Sequence, residues 1–105
     1  MLIKYKKKSL EKECNDYSRA IRSYGQNCAK ILHRRIRELK AAESLDEMVN
    51  LGIGRCHALK GDLQGKYALD LEQPFRLIVE PEKNEDGRYE IRIVNLLEVK
   101  DYHGN

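Results

Sequence analysis

The chain has little of what would assign it at a glance. Its 105 residues hold three cysteines, Cys14, Cys28 and Cys56, an odd number with no Cys-x-x-Cys pair. This argues against a disulfide framework and favours the cytoplasm, where thiols stay reduced. No segment approaches the ~18 consecutive apolar residues of a membrane span, so no membrane role is expected. The opening MLIKYKKKS puts charge after a few apolar residues, the reverse of a secretory signal. Internal repeats and low-complexity tracts are absent. The net charge is only +3, too small to announce a nucleic-acid binder by itself.

What is present is charge in quantity and in clusters. Charged residues make up 35% and hydrophobic residues 41% of the chain, against roughly 25% charge in an average domain. The length allows one domain, residues 1–105, with a thin core under a charged surface. Lys4, Lys6, Lys7 and Lys8 cluster at the start, and Lys30, Arg34, Arg35, Arg37 and Lys40 crowd one later segment. The acids gather in 43–47 and 80–90. Clustered cations make basic patches even when the sum is small.

Periodicity divides the chain into a helical first half and a stranded second half. Residues 1–6 alternate, with Leu2 and Lys4 on one face and Ile3 and Tyr5 on the other, which predicts a short first strand. Ser9 is a candidate cap for a helix running to about Tyr24, with Leu10, Cys14, Tyr17, Ile21 and Tyr24 on one face and Asn15-Asp16 as a break or second cap. Gly25 is a good helix stop. Residues 27–41 form the clearest helix, with Cys28, Ile31, Leu32, Ile36 and Leu39 on one face and Lys30, Arg34, Arg37 and Lys40 on the other. The two helices are expected to form a hairpin about Gly25. Ser44-Leu45-Asp46-Glu47 is a capping-box pattern that starts a short helix ending before Gly52.

Strands follow. Cys56–Leu59 is a strand candidate, Gly61–Gly65 a turn, and Tyr67, Leu69 and Leu71 point one way. In 75–80, Phe75, Leu77 and Val79 face one side and Arg76, Ile78 and Glu80 the other. After an acidic turn, 89–99 reads as a long strand with Ile91, Ile93, Leu97 and Val99 in phase. The order predicts an α+β fold: a meander of antiparallel strands with helices packed on one face.

Such a sheet leaves one face open, and polar residues on that face need a reason to be there. Arg76 is the foremost, mid-strand between two core residues; the ordinary alternative is a solvated residue or a partner for Glu80. His57 and His103 stand at strand ends, where a neighbouring strand can bring them together and an imidazole can take or give a proton near neutral pH. Two such groups, with the two arginines Arg55 and Arg76 that bound the stretch 55–76 and its two lysines, suit a phosphodiester substrate and internal RNA cleavage, in which the cations stabilise charge that builds on the phosphate. His33 lies among arginines and reads as surface. Cys56 and His57 are adjacent, so on a strand they face opposite ways, against a Cys–His nucleophile, and no metal-type ligand spacing accompanies them. Lys60 and Lys66 flank the glycine turn, as solubilising residues or phosphate contacts. Tyr102 either stacks on a base or completes the core.

The block RCHALKGDLQGKYALDLEQPFRLIVEP, the terminal IRIVNLLEVKDYH and the N-terminal KYKKKSLEKEC…AESLDEM together resemble the RelE/HigB superfamily of toxins from type II toxin–antitoxin systems. The branch most resembled is the HigB-like plasmid maintenance killer proteins. The resemblance covers nearly the whole chain. It implies a RelE-like fold, a twisted antiparallel β-sheet with an N-terminal helical hairpin on one face. It also implies an mRNA interferase that enters the ribosomal A site of the 70S ribosome and cuts mRNA there without a metal or other cofactor, by attack of a 2′-hydroxyl on the adjacent phosphate. By carry-over, Asp101 or His103 is the general base and His57 or His103 serves the leaving group. Arg76 and Lys60 bind phosphate, and Tyr102 stacks on a base. The implied partner is a helix-turn-helix antitoxin. A member of the fold that kept partner binding and lost catalysis, or a general RNA-binding protein, is the competing expectation. Here Cys56 precedes the His, the 81–88 loop is shorter than in many relatives, and only two residues follow His103.

Overall fold

A computed structural model describes residues 1–102; His103, with the roles expected of it, lies outside the described residues. The elements run β1 (Leu2–Tyr5), α1 (Lys8–Asn15), α2 (Tyr17–Tyr24), α3 (Gln26–Ala41), α4 (Leu45–Leu51), β2 (His57–Ala58), β3 (Tyr67–Asp70), β4 (Phe75–Lys83) and β5 (Tyr89–Asp101). The five strands form one sheet in the order β1-β5-β4-β3-β2. The pairs from β2 to β5 are antiparallel, as the predicted meander requires. Parallel pairing of β1 with β5 was not expected, since alternation alone does not say which strand a segment joins.

Helix boundaries follow local chemistry. Asp16 interrupts the first helical stretch because its carboxylate accepts from the backbone N–H groups of Ser18 and Arg19, and so starts α2. The predicted cap at Ser9 is corrected: the cap is Lys7, two residues earlier, an extended residue that makes no side-chain cap hydrogen bond, and α1 begins at Lys8. Gly25 takes φ 85°, a conformation other residues rarely adopt, and joins α2 to α3. Half of the capping box forms, with Ser44 accepting from the Glu47 N–H at 3.1 Å; the Glu47 carboxylate reaches one residue past the cap and accepts from the Glu43 N–H at 3.2 Å.

The helices cover one face of the sheet. Leu10, Cys28, Leu32, Ile36, Leu39 and Met48 pack on Leu69, Leu77, Val79, Val94 and Leu96, and all are buried. Each large apolar side chain buried there contributes about 1.5–3 kcal/mol. The expected phase of the last strand is corrected. Ile78 pairs with Glu98 but Val79 with Leu96, so Leu97 is an extra residue opposite that step. This bulge reverses the alternation. Val94, Leu96 and Val99 therefore all reach the helices, while Ile91 is exposed.

His33 also departs from expectation. It is half-buried, with Nε2 3.0 Å from the Glu13 carbonyl and its ring edge-on to Tyr17 at 5.2 Å. Folding of α3 against the α1–α2 pair encloses it, a contact between segments that local sequence does not show. On the far side of α3, Lys30, Arg34, Arg37 and Lys40 are exposed, as the period predicts.

Candidate functional site

The face that the helices leave open carries the polar residues of β2 to β5, in rows fixed by register. One row runs His57, Ala68, Ile78, Glu98. The next places Asp70 beside Arg76 and Arg76 beside Lys100. Ala68 and Ile78 point away from the helices yet are buried. They form an apolar floor between polar walls.

His57 lies on the edge strand, half-buried, with Nδ1 2.9 Å from the carbonyl oxygen of Arg55. A carbonyl can only accept, so the Nδ1 proton is assigned to that bond. Proton exchange is thereby directed to Nε2. The residue before it, Cys56, is buried on the other side, where burial pushes its thiol up to about 11. It is neither exposed nor ionised at neutral pH, and sits on the opposite side of the strand from the imidazole.

Arg76 stands mid-sheet over the ring of Tyr102, 4.6 Å from guanidinium carbon to centroid. Lys100 Nζ approaches the same ring at 5.6 Å. Tyr102 is held at the end of β5 by its N–H, which donates to the Pro74 carbonyl at 3.0 Å. Its hydroxyl is buried and finds no hydrogen-bond partner among the described residues. Lys66 is half-buried next to the floor, where the Leu59 N–H donates to its carbonyl. Lys60 is exposed just beyond β2, at the start of the 3₁₀ turn Gly61–Leu63.

The structure thus brings His57, Lys66, Arg76 and Tyr102 onto one face. It does not place Asp101 there. Asp101 pairs with Phe75, whose ring packs toward the helices, so strand alternation directs Asp101 to the opposite side of the sheet end.

Asp70 and Arg35 escaped the sequence reading, which grouped Arg55 with Arg76 as cations suited to a phosphodiester but gave Arg55 no partner. Arg55 grips Asp70 through Nε at 2.7 Å and Nη2 at 3.2 Å. Arg76 Nε lies 3.8 Å from the same carboxylate. Burial raises the Asp70 carboxyl, but the Arg55 hydrogen bonds and the charges of Arg55, Arg76 and His57 outweigh it and hold the group below its ordinary value of 3.8. From behind, Arg35 Nε donates to the Asp70 carbonyl at 2.7 Å. Arg55 has φ 51°, the one non-glycine residue with positive φ among the described residues. Such a conformation costs ~1–3 kcal/mol and persists where the surroundings impose it. The pairing of Asp70 with Arg76 follows from alternation; the grip of Arg55 had no sequence signal.

No protein-family model matches the chain, and no curated protein matches it in sequence. Solved structures do match it in shape. The YoeB/ParE toxin from Agrobacterium tumefaciens superposes with a TM-score of 0.61 at 14% identity, over 98% of this chain and 100% of that one. A chain of the YoeB-YefM complex from Staphylococcus aureus superposes with a TM-score of 0.59 at 17% identity, over 98% of this chain and 99% of that one. At these identities the likeness is one of fold. The chain has the α+β architecture of YoeB- and RelE-like toxins, a five-stranded sheet with helices on one face.

Proposed function

We propose that this chain is the toxin of a type II toxin–antitoxin system, of the HigB-like branch, and acts as a ribosome-dependent endoribonuclease on mRNA in the A site. The observation that carries the reading is the open sheet face, where His57, Lys66, Arg76, Lys100 and Tyr102 surround one apolar floor. The fold shared with chains described as YoeB/ParE toxins supports it, as does the resemblance of the HxLKG and DYH blocks. A helix-turn-helix antitoxin is the expected partner and the cytoplasm the expected location.

In the proposed reaction the 2′-hydroxyl of one nucleotide attacks the adjacent phosphorus, and the bond to the 5′-oxygen of the next nucleotide breaks. The products are a 2′,3′-cyclic phosphate and a 5′-hydroxyl, with no metal required. His57 protonates the leaving oxygen through Nε2, while the Arg55 carbonyl keeps hold of Nδ1–H in both charge states. Arg76 meets the charge that develops on the phosphate, and Lys60 and Lys66 guide the backbone. Tyr102, already stacked with Arg76, offers the rest of its ring to a base. The resemblance offers Asp101 or His103 as the base that takes the 2′-hydroxyl proton, and the strand alternation at Asp101 supports His103.

The test is induced expression in bacteria, with primer extension on a translated mRNA, of the wild type, His57→Ala, Arg76→Ala and His103→Ala. Growth arrest and cleavage are expected for the wild type alone. Toxicity unchanged in all three variants would remove the assignment. Equal cleavage of naked and translated RNA would contradict ribosome dependence.

A further inference from the structure

Arg55, Asp70, Arg76 and Lys100 lie side by side across the open face, in the charge order plus, minus, plus, plus. Two guanidinium groups thus share one carboxylate, and the row keeps a positive excess. We propose that Arg55 and Arg76 form a two-guanidinium site for an RNA phosphodiester, and that Asp70 is its resident counter-anion, occupying the guanidinium donors that the phosphate engages on binding. The proposal rests on the RNA-cleaving reading above and adds to it the pairing of Arg55 with Arg76 about one carboxylate, with Asp70 as a brake on affinity.

Geometry supports this in three ways. First, the Arg55 side chain is 63% exposed while Asp70 is 22% exposed, so the guanidinium covers the carboxylate and faces outward. Two of its five N–H donors are spent on Asp70, and the planar fork that grips a carboxylate also fits a phosphate. Second, the Arg55 carbonyl sets the orientation of His57, so a phosphate on the Arg55 side chain is held near the imidazole by the same residue. Third, Arg55 has a positive φ within the hydrogen-bonded turn Gly52–Cys56, a conformation that turns its side chain onto Asp70 while its carbonyl faces His57. The charges and hydrogen bonds around Asp70 hold its carboxyl below the ordinary value, which favours the carboxylate as counter-anion at neutral pH.

The probe is a 2′-O-methyl oligoribonucleotide, which has no free 2′-hydroxyl and is not cleaved. Binding is read by fluorescence anisotropy over a range of salt concentrations. Asp70→Asn keeps the shape and removes the charge; Arg55→Asn removes the guanidinium with a residue that accepts positive φ. Asp70→Asn is expected to bind several-fold more tightly, with the log–log salt slope steeper by about 0.7, the value for one more phosphate neutralised on a single strand. Arg55→Asn is expected to bind more weakly with a shallower slope, and adding Asp70→Asn to it should give a smaller gain than in the wild type. Folded variants with unchanged affinity and slope would overturn the proposal, as would lower melting temperatures with RNA binding unaltered in the folded fraction. Cleavage of translated mRNA separates the two ideas. Shifted slopes without wild-type cleavage leave the phosphate site standing and remove the nuclease; wild-type cleavage with unshifted slopes does the reverse.

Discussion

The carbonyl oxygen of Arg55 lies 2.9 Å from Nδ1 of His57, two residues along the chain. This contact decides which imidazole nitrogen is available, because a carbonyl demands a proton from its partner. The neutral ring is therefore the Nδ1–H tautomer. Nitrogen-15 NMR of the neutral ring should show Nε2 with the shift of an unprotonated nitrogen. His57→Ala should reduce cleavage by ~10²–10⁴, the usual contribution of a general acid or base. A neutral Nε2–H tautomer would contradict the assignment.

Arg76 is expected to affect chemistry more than folding. Its stacking on Tyr102 at 4.6 Å is worth about 0.5–1 kcal/mol at such a partly exposed site. Arg76→Ala should therefore melt within a few degrees of the wild type while losing ~10²–10³ in cleavage rate, the cost of removing one electrostatic contact to the transition state. A variant that unfolds at ambient temperature would assign Arg76 to structure.

Gly54 connects the core to the site. A Cβ there would come 2.8 Å from Arg35 Nε and 3.1 Å from Leu69 Cδ2, and the residue has φ 60°. Gly54→Ala should displace Arg35 from the Asp70 carbonyl and strain the backbone. A loss of about 1–3 kcal/mol in a denaturant titration is expected, with the site disturbed alongside. Gly87, at φ 80° in an open turn with nothing near its Cβ position, is the control for backbone strain alone.

Cys56 tests the burial of the layer beneath His57. Its thiol ionises at about 11 when folded, against 9.0 ordinarily. The folded state resists losing the proton, so the unfolded chain holds fewer protons between those values. Stability should fall as pH rises through that window, by an amount that Cys56→Ser or Cys56→Ala should reduce. Thiol-specific reagents should label Cys56 slowly at neutral pH. Rapid labelling of folded protein would show that the site opens.

Core substitutions should divide cleanly from these. Leu77 is fully buried between sheet and helices. Leu77→Ala should cost about 2–5 kcal/mol. The folded fraction, isolated by size exclusion, should retain RNA binding, since the side chain lies on the face opposite Arg76.

The sequence by itself determined the elements and the sidedness of most of them. Capping chemistry at Asp16, Gly25 and Ser44 is local, and the period of α3 and of β4 states which side chains meet water. Arg76 on the open face was legible for that reason, as was the separation of Cys56 from His57. The tertiary structure decided what depends on pairing between distant segments. The Leu97 bulge resets the phase of β5, and β1 finds β5 in parallel. His33 is enclosed by α1, and Arg55 reaches across to Asp70 while its carbonyl holds His57. Alternation is a property of each strand alone, whereas register and side-chain reach are set by which strands lie together. A carboxylate between two guanidinium groups exists only after the sheet has formed.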